Sequence, residues 1–141
     1  MSGQLTITQL EQKAEAIRED IVKMLEVAGS GHSAGPLGMA DIFAALYFNI
    51  LNIDPKNPDW EDRDIFLLSN GHTIPVQYAA MAEAGFFDKE ELLTLRKLGS
   101  RLQGHPERER LPGLENTSGP LGSGLSQAAG YAYSLQYIDD I

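Results

Sequence analysis

Three histidines are the residues of this sequence best suited to proton transfer and anion binding. They are His32, His72 and His105, and each one directly follows a glycine. Because 14 of the 141 residues are glycine, chance would place one before all three in only about one sequence in a thousand of this composition. Imidazoles donate hydrogen bonds to anions and move protons near neutral pH, and a preceding glycine lets the backbone approach a ligand closely. The pattern therefore favours a functional role for these side chains.

Other interpretations of the histidines fit less well. A three-histidine zinc site usually includes a close pair such as H-x-x-x-H, whereas these histidines are 40 and 33 residues apart. The interpretation as a serine or cysteine hydrolase is weaker still, and a cysteine nucleophile is excluded because the sequence contains no cysteine. The plainest alternative is that each histidine is a capped or solvated loop side chain.

The sequence GPLG is a second candidate feature, because it occurs twice. It spans residues 35–38 and 119–122, and each copy precedes an apolar helical pattern. A common helix-start signal explains such a repeat, since proline suits the first helical turn. The second copy is richer in glycine, and the helix that follows it would present free backbone N–H groups to a ligand.

The elements that position these residues are mostly helices. Thr8 and Glu11 form a capping-box pattern, and apolar residues then recur at helical spacing until Gly29. A glycine-rich loop over residues 29–38 leads to a second, apolar helix, MADIFAALYFNIL. The segment IPVQYAAMAEAG predicts another helix, which ends at Gly85.

The middle of the chain predicts one strand and one long loop. The apolar run DIFLLS, residues 64–69, is typical of a strand buried on both faces. Asp88 and Glu91 predict a capped helix with Arg96 and Lys97 in its last turn. Residues 100–118 lack an apolar period and predict a long loop, a kind of segment that is usually functional in a compact domain.

Composition limits the kinds of partner. The net charge is −9 and no clustered Lys and Arg are present, which disfavours nucleic acid because its binding depends on basic side chains. No apolar run approaches the roughly 20 residues that cross a bilayer, and the amino terminus has no signal pattern. The length is that of a single domain. We expect a soluble, cytoplasmic protein.

Four motifs together resemble the amino-terminal part of transketolase, the thiamine diphosphate enzyme that moves two-carbon units between sugar phosphates. They occur in order from about residue 10 to the carboxyl end: GSGHSAGPLGMADIFAALYF, LLSNGHTIPVQYAAMAEAGFF, GHPE and TSGPLGSGLSQAAGYA. The pair GHPE and GPLG is similar to transketolase rather than to deoxyxylulose-phosphate synthase, which has the same scaffold. One departure is Ser33-Ala34, where the family usually has proline after the first histidine.

The resemblance implies an α/β fold, the start of the diphosphate-binding (PP) domain, with a parallel sheet flanked by helices. It implies that His72 donates a hydrogen bond to the diphosphate of the cofactor, thiamine diphosphate. Gly119, Pro120 and Leu121 would line the aminopyrimidine side. His32 and His105 would face the donor sugar and serve as catalytic residues.

The resemblance also implies partners. Residues 1–141 would be an incomplete amino-terminal part of the domain, because the family's G-D-G motif, which holds Mg²⁺ or Ca²⁺, would follow beyond Ile141. The lone strand lacks a partner for its backbone groups. We therefore expect a split transketolase subunit, completed by chains that carry the metal ligands, the rest of the PP domain and the pyrimidine-binding (Pyr) domain. The alternatives are a truncated, non-catalytic interaction module and part of a related thiamine enzyme such as deoxyxylulose-phosphate synthase.

Overall fold

The fold is built on a long amino-terminal helix, α1 (Ile7–Ala28). A computed structural model describes residues 4–137 of the chain. The helix begins at a capping box, in which Thr6 accepts from the Gln9 N–H and the Gln9 side chain accepts from the Thr6 N–H. The predicted box at Thr8 and Glu11 is therefore wrong by two residues, because TxxQ satisfies the first free N–H groups as well as TxxE does. The helix ends at Gly29, whose φ of 63° is left-handed.

Short helices follow the long one. The first, α2 (Ala34–Gly38), falls where the sequence predicts a loop. The predicted apolar helix is divided into α3 (Ala40–Ala45) and a π-helical turn (Leu46–Ile50). The helix α4 (Ile74–Ala84) begins after a 3₁₀ turn (Gly71–Thr73) and ends at Gly85, as predicted.

The carboxyl half is largely irregular. The helix predicted from Asp88 is a short 3₁₀ helix (Lys89–Thr94), and the Asp88 side chain does not cap it. Residues 100–118 form the predicted loop, with neither helix nor strand. The last described element is α5 (Ser123–Tyr137).

Three helices form the core. Helix α4 is buried from Ile74 to Ala82 and packs against both α1 and α3, which also contact each other. Its small residues allow the neighbouring helices to approach closely, and helix α1 contributes the fully buried side chains of Ile17, Ile21 and Met24. Burial of this apolar surface is the main favourable contribution to folding.

The predicted strand is the largest correction. Within residues 4–137 the structure contains no strand, and in the segment 64–69 only Leu68 is fully buried. No backbone–backbone hydrogen bond joins residues 65–69 to another described segment. A strand exists through its ladder of backbone bonds, so an apolar run without a neighbour does not form one. The predicted α/β class is thus only partly supported, since the described part of the chain is helical.

Candidate functional site

Two of the three histidines are in contact. The ring centroids of His32 and His72 are 5.1 Å apart, and the rings meet edge to face at 65°. His32 lies in the loop between α1 and α2, and His72 lies in the 3₁₀ turn that begins α4. The packing of α1 and α2 against α4 therefore brings these two loop residues together.

The third histidine lies beside this pair. Burial lowers the pKa of His105 below its ordinary value of 6.5, and the positive charges of His32, His72 and Arg96 lower it further. The packing agrees, because Gly71 of the His72 turn lies against Ser118, and Gly119, the next residue, lies beside His105. The sequence placed the three in separate loops, and the fold brings them together.

Close packing explains why glycine precedes His72. A Cβ added at Gly71 would lie only 2.6 Å from the carbonyl oxygen of Ser118, a distance that the two backbones could not tolerate. This contact seats the 3₁₀ turn of His72 directly on the loop that leads to the second GPLG sequence.

The second GPLG sequence lies next to His105. A Cβ built at Gly119 would be 4.0 Å from Cδ2 of His105. Pro120 and Leu121 are exposed, and 71% of the Leu121 surface faces solvent. The predicted cofactor-binding stretch Gly119, Pro120 and Leu121 therefore lies beside the histidines and is open to a ligand.

The backbone N–H groups that a ligand could use lie in the loop before α5, and not in the first turn of α5. The N–H groups of Ser123 and Leu125 donate to Pro120 and Gly122, and the Gly124 N–H donates to Oγ of Ser69. The expected free N–H groups of the first turn of α5 are thus occupied. Within the described residues no hydrogen bond engages the N–H groups of Gly119, Leu121 and Gly122, which remain available for a ligand.

The first GPLG sequence has a packing role. It forms most of α2, and a Cβ at Gly35 would lie 2.8 Å from Cγ2 of Thr73. It therefore supports the turn that carries His72, and it lies within a short helix instead of preceding one.

The residues GHSAG, 31–35, also match the G-x-S-x-G pattern of serine hydrolases. That pattern marks a nucleophile only in a sharp turn between a strand and a helix. Here it follows helix α1, and Ser33 is exposed, with no side-chain hydrogen bond within the described residues. The local structure does not support a hydrolase.

An open groove of about 590 Å³ adjoins His105. Two residues that sequence reasoning missed line it, Arg96 and Ser118. Ser118 is 5% exposed, and its Oγ has no hydrogen-bond partner within the described residues. A buried hydroxyl without a partner is costly, so the Ser118 hydroxyl suits a ligand with a polar group. Its position directly before the second GPLG sequence is the signal that could have identified it.

The described part of the chain contains neither a membrane-spanning helix nor a cluster of metal-ligating side chains. Between residues 4 and 137 no helix is both long and apolar enough to span a bilayer. Over the same residues, no group of three or more His, Cys, Asp or Glu side chains could hold a metal ion.

A family model and the sequences of known proteins both show similarity to transketolase. The family model described as "Transketolase, thiamine diphosphate binding domain" matches residues 10–140. The chain is 41% identical over 127 residues to the 6-deoxy-6-sulfo-D-fructose transketolase subunit SqwG of Clostridium sp. (strain MSTE9), and the match covers 90% of this chain and 46% of that protein.

Solved structures agree. The chain is similar to transketolase from Leishmania mexicana, with a TM-score of 0.86, 38% identity and coverage of 94% of this chain and 19% of that one. It is also similar to the transketolase of Pichia stipitis in complex with sedoheptulose-7-phosphate, with a TM-score of 0.84, 37% identity and coverage of 89% and 18%. The chain thus spans less than half the length of each of these relatives.

Proposed function

Because this chain belongs to the family of transketolase thiamine diphosphate binding domains, we propose that it contributes to an enzyme that transfers a two-carbon ketol unit between sugar phosphates. One observation carries the proposal: His32, His72 and His105 converge beside the loop of Gly119. The relatives described above are named transketolases, which favours this activity over that of deoxyxylulose-phosphate synthase.

The residues of the region fit thiamine diphosphate. The unpartnered hydroxyl of Ser118 and the available N–H groups of Gly119 and Leu121 suit a polar heterocycle, and the imidazole of His72 suits a diphosphate. When bound, the cofactor would supply the electron sink for breaking and forming the carbon–carbon bond. In this proposal His72 donates a hydrogen bond to the diphosphate, and Gly119, Pro120 and Leu121 line the aminopyrimidine side.

His32 and His105 act on the donor sugar in this proposal. Burial lowers the pKa of His105 below its ordinary value of 6.5, which favours the neutral imidazole that accepts a proton from a sugar hydroxyl. His32 contacts His72, so in this proposal it binds the donor sugar next to the residue that binds the cofactor diphosphate.

We further propose that residues 1–141 are the incomplete amino-terminal part of the PP domain, in a cytoplasmic hetero-oligomer. Complementary chains would carry the Mg²⁺ or Ca²⁺ ligands, the rest of the PP domain and the Pyr domain. Two features support this: the backbone of residues 65–67 forms no hydrogen bond to another described segment, and α5 exposes large apolar side chains. In this proposal a partner strand completes a parallel sheet along the segment 65–67.

Co-expression tests this proposal. The chain would be produced with the chains encoded beside it, and thiamine diphosphate binding and ketol transfer would be measured with Mg²⁺. We expect both activities in the assembly and weak cofactor binding by the isolated chain. His72→Ala should weaken cofactor binding at least about tenfold through loss of a charge-assisted hydrogen bond. The exposed Lys56→Ala is the control and should change nothing. Full activity of a His72→Ala assembly would refute the assigned role.

A non-catalytic interaction module is the second candidate, and the exposed apolar side chains of α5 favour it. Under that function, His32→Gln and His105→Gln would leave a partner's activity unchanged, whereas Leu125→Ser on α5 would abolish association. Loss of ketol transfer in either histidine variant, with association intact, would exclude this candidate.

A further inference from the structure

Arg96 has an unusual backbone. It is the one non-glycine residue between residues 4 and 137 with a positive φ, 62°. Such a conformation is strained for a residue with a long side chain. It is held by a hydrogen bond from the Arg96 N–H to the carbonyl of Leu102, 2.9 Å long, and by the burial of Leu95 and Leu102.

The guanidinium of Arg96 lies near two glycines. A Cβ built at Gly104 would lie 3.2 Å from Cζ of Arg96 and 3.4 Å from Nε and Nη1. A Cβ built at Gly31 would lie 3.7 Å from the same Nη1. The guanidinium therefore lies close to both glycines, which directly precede His105 and His32, and the Leu25 side chain is the nearest neighbour of the Cβ position at Gly31, at 2.5 Å.

The positive charge of Arg96 is not neutralised by a nearby carboxylate. Among residues 4–137 no carboxylate lies within ion-pair distance of Arg96. The groups that face His105 are His32 from the loop after α1, His72 from the 3₁₀ turn, and Arg96. Glu107 lines the same groove, and its carboxylate is bonded to Arg110.

We propose that Arg96 is a positioning residue, which holds the loop of His32 and the loop of His105 against each other through a guanidinium packed on Gly31 and Gly104. The same charge adds to burial and to the charges of His32 and His72, which together lower the pKa of His105. The consequence for ketol transfer rests on the proposed function, whereas the positioning itself does not.

Arg96→Gly removes the side chain and keeps the backbone conformation, because glycine adopts positive φ without strain. It therefore tests the side chain alone. Nuclear magnetic resonance of the full chain would give the pKa of His105 from its imidazole shifts and the order parameters of the Gly31 and Gly104 amides. We expect the pKa of His105 to rise, and both order parameters to fall from about 0.85 to about 0.6. Arg96→Lys should retain the low pKa but lose the order, since an ammonium keeps the charge without the planar contact.

Lys97→Gln is the matched control. It removes one positive charge from the adjacent exposed position and should leave the pKa of His105 and both order parameters unchanged. If Arg96→Gly is unfolded by circular dichroism, Gly104→Ala provides the second test, because its methyl group would displace the guanidinium and lower the order at Gly31.

Unchanged values in Arg96→Gly or, where that variant is unfolded, in Gly104→Ala would overturn the proposal. Equal changes in Lys97→Gln would also overturn it. None of these measurements requires cofactor, substrate or partner, so the positioning role and the proposed enzymatic function can fail independently.

Discussion

The side-chain amide of Asn116 bonds to both backbone groups of Leu68. Its Oδ1 accepts from the Leu68 N–H and its Nδ2 donates to the Leu68 carbonyl, each at 3.1 Å. A neighbouring strand would make the same pair of bonds. The one fully buried residue of the segment 64–69 is therefore satisfied by a side chain that comes from the long loop.

Asn116→Leu tests this relationship. It keeps the volume but leaves the buried N–H and carbonyl of Leu68 without partners, and it removes the bond to Gln127. We expect the free energy of unfolding, measured by urea denaturation, to fall by about 3 kcal/mol. The exposed Asn57→Leu should change it by less than about 0.5 kcal/mol. A stability equal to that of the parent would mean that water or another group satisfies Leu68.

Gly71→Ala tests the contact between the turn of His72 and the loop of Ser118. The new methyl group would clash with the Ser118 carbonyl, so we expect a loss of about 2 kcal/mol in the free energy of unfolding. The ring contact between His32 and His72 should also be weakened, as observed through nuclear Overhauser effects.

Gly130→Ala is the matched control for the effect of an added methyl group. Gly130 lies within α5, and a Cβ there meets nothing within 4 Å. Because alanine has a higher helix propensity than glycine, the free energy of unfolding of this variant should rise by up to about 1 kcal/mol. If both glycine variants behaved alike, the contact at Gly71 would have no special importance.

The ion pairs of Glu83 predict a pH dependence. Burial alone would raise the pKa of Glu83, but hydrogen bonds from Lys13 and Lys89 outweigh burial and lower the pKa below 4.5. A lowered pKa gives stability that is present above pH 4.5 and is lost as the pH falls through the folded-state pKa. Glu83→Gln should therefore cost about 1 kcal/mol at pH 7, and the difference from the parent should shrink in acid.

Asp20→Asn should show the opposite trend. Burial raises the pKa of Asp20 above 3.8, although Lys89 partly offsets the effect. The contribution of a raised carboxyl pKa is present below pH 3.8 and is lost as the pH rises through the folded-state pKa. The stability of Asp20→Asn relative to the parent, from urea titrations at each pH, should thus increase toward pH 7. A parallel response of the two variants would contradict this assignment.

The exposed face of α5 predicts a change in assembly without a change in folding. Leu125 and Tyr133 are 77% and 60% exposed, so replacing both with serine should leave the thermal midpoint of the isolated chain nearly unchanged. Association with a complementary chain should weaken at least about tenfold, because large apolar side chains at the centre of an interface contribute most of the binding. Association would be measured by isothermal titration calorimetry, and Ser126→Ala, also on the exposed surface, should bind normally.

Local signals in the sequence were sufficient for most helices. The positions of α1 and α4 follow from apolar residues at helical spacing and from the stop at glycine, which depend on neighbours within one or two turns. The strand at residues 64–69 was predicted from the same kind of local signal and was wrong within the described chain, since a strand needs a second segment to pair with.

The sequence by itself determined helices α1 and α4, the long loop and the three glycine–histidine pairs, because each depends on residues that are adjacent or one helical turn apart. Only the tertiary structure decided that His32 contacts His72, that Asn116 satisfies Leu68, and that Arg96 packs on two loops. These relationships join residues from distant parts of the chain. They exist because the packing of α4 against α1 and α3 fixes the loops around it, and no local pattern encodes that packing.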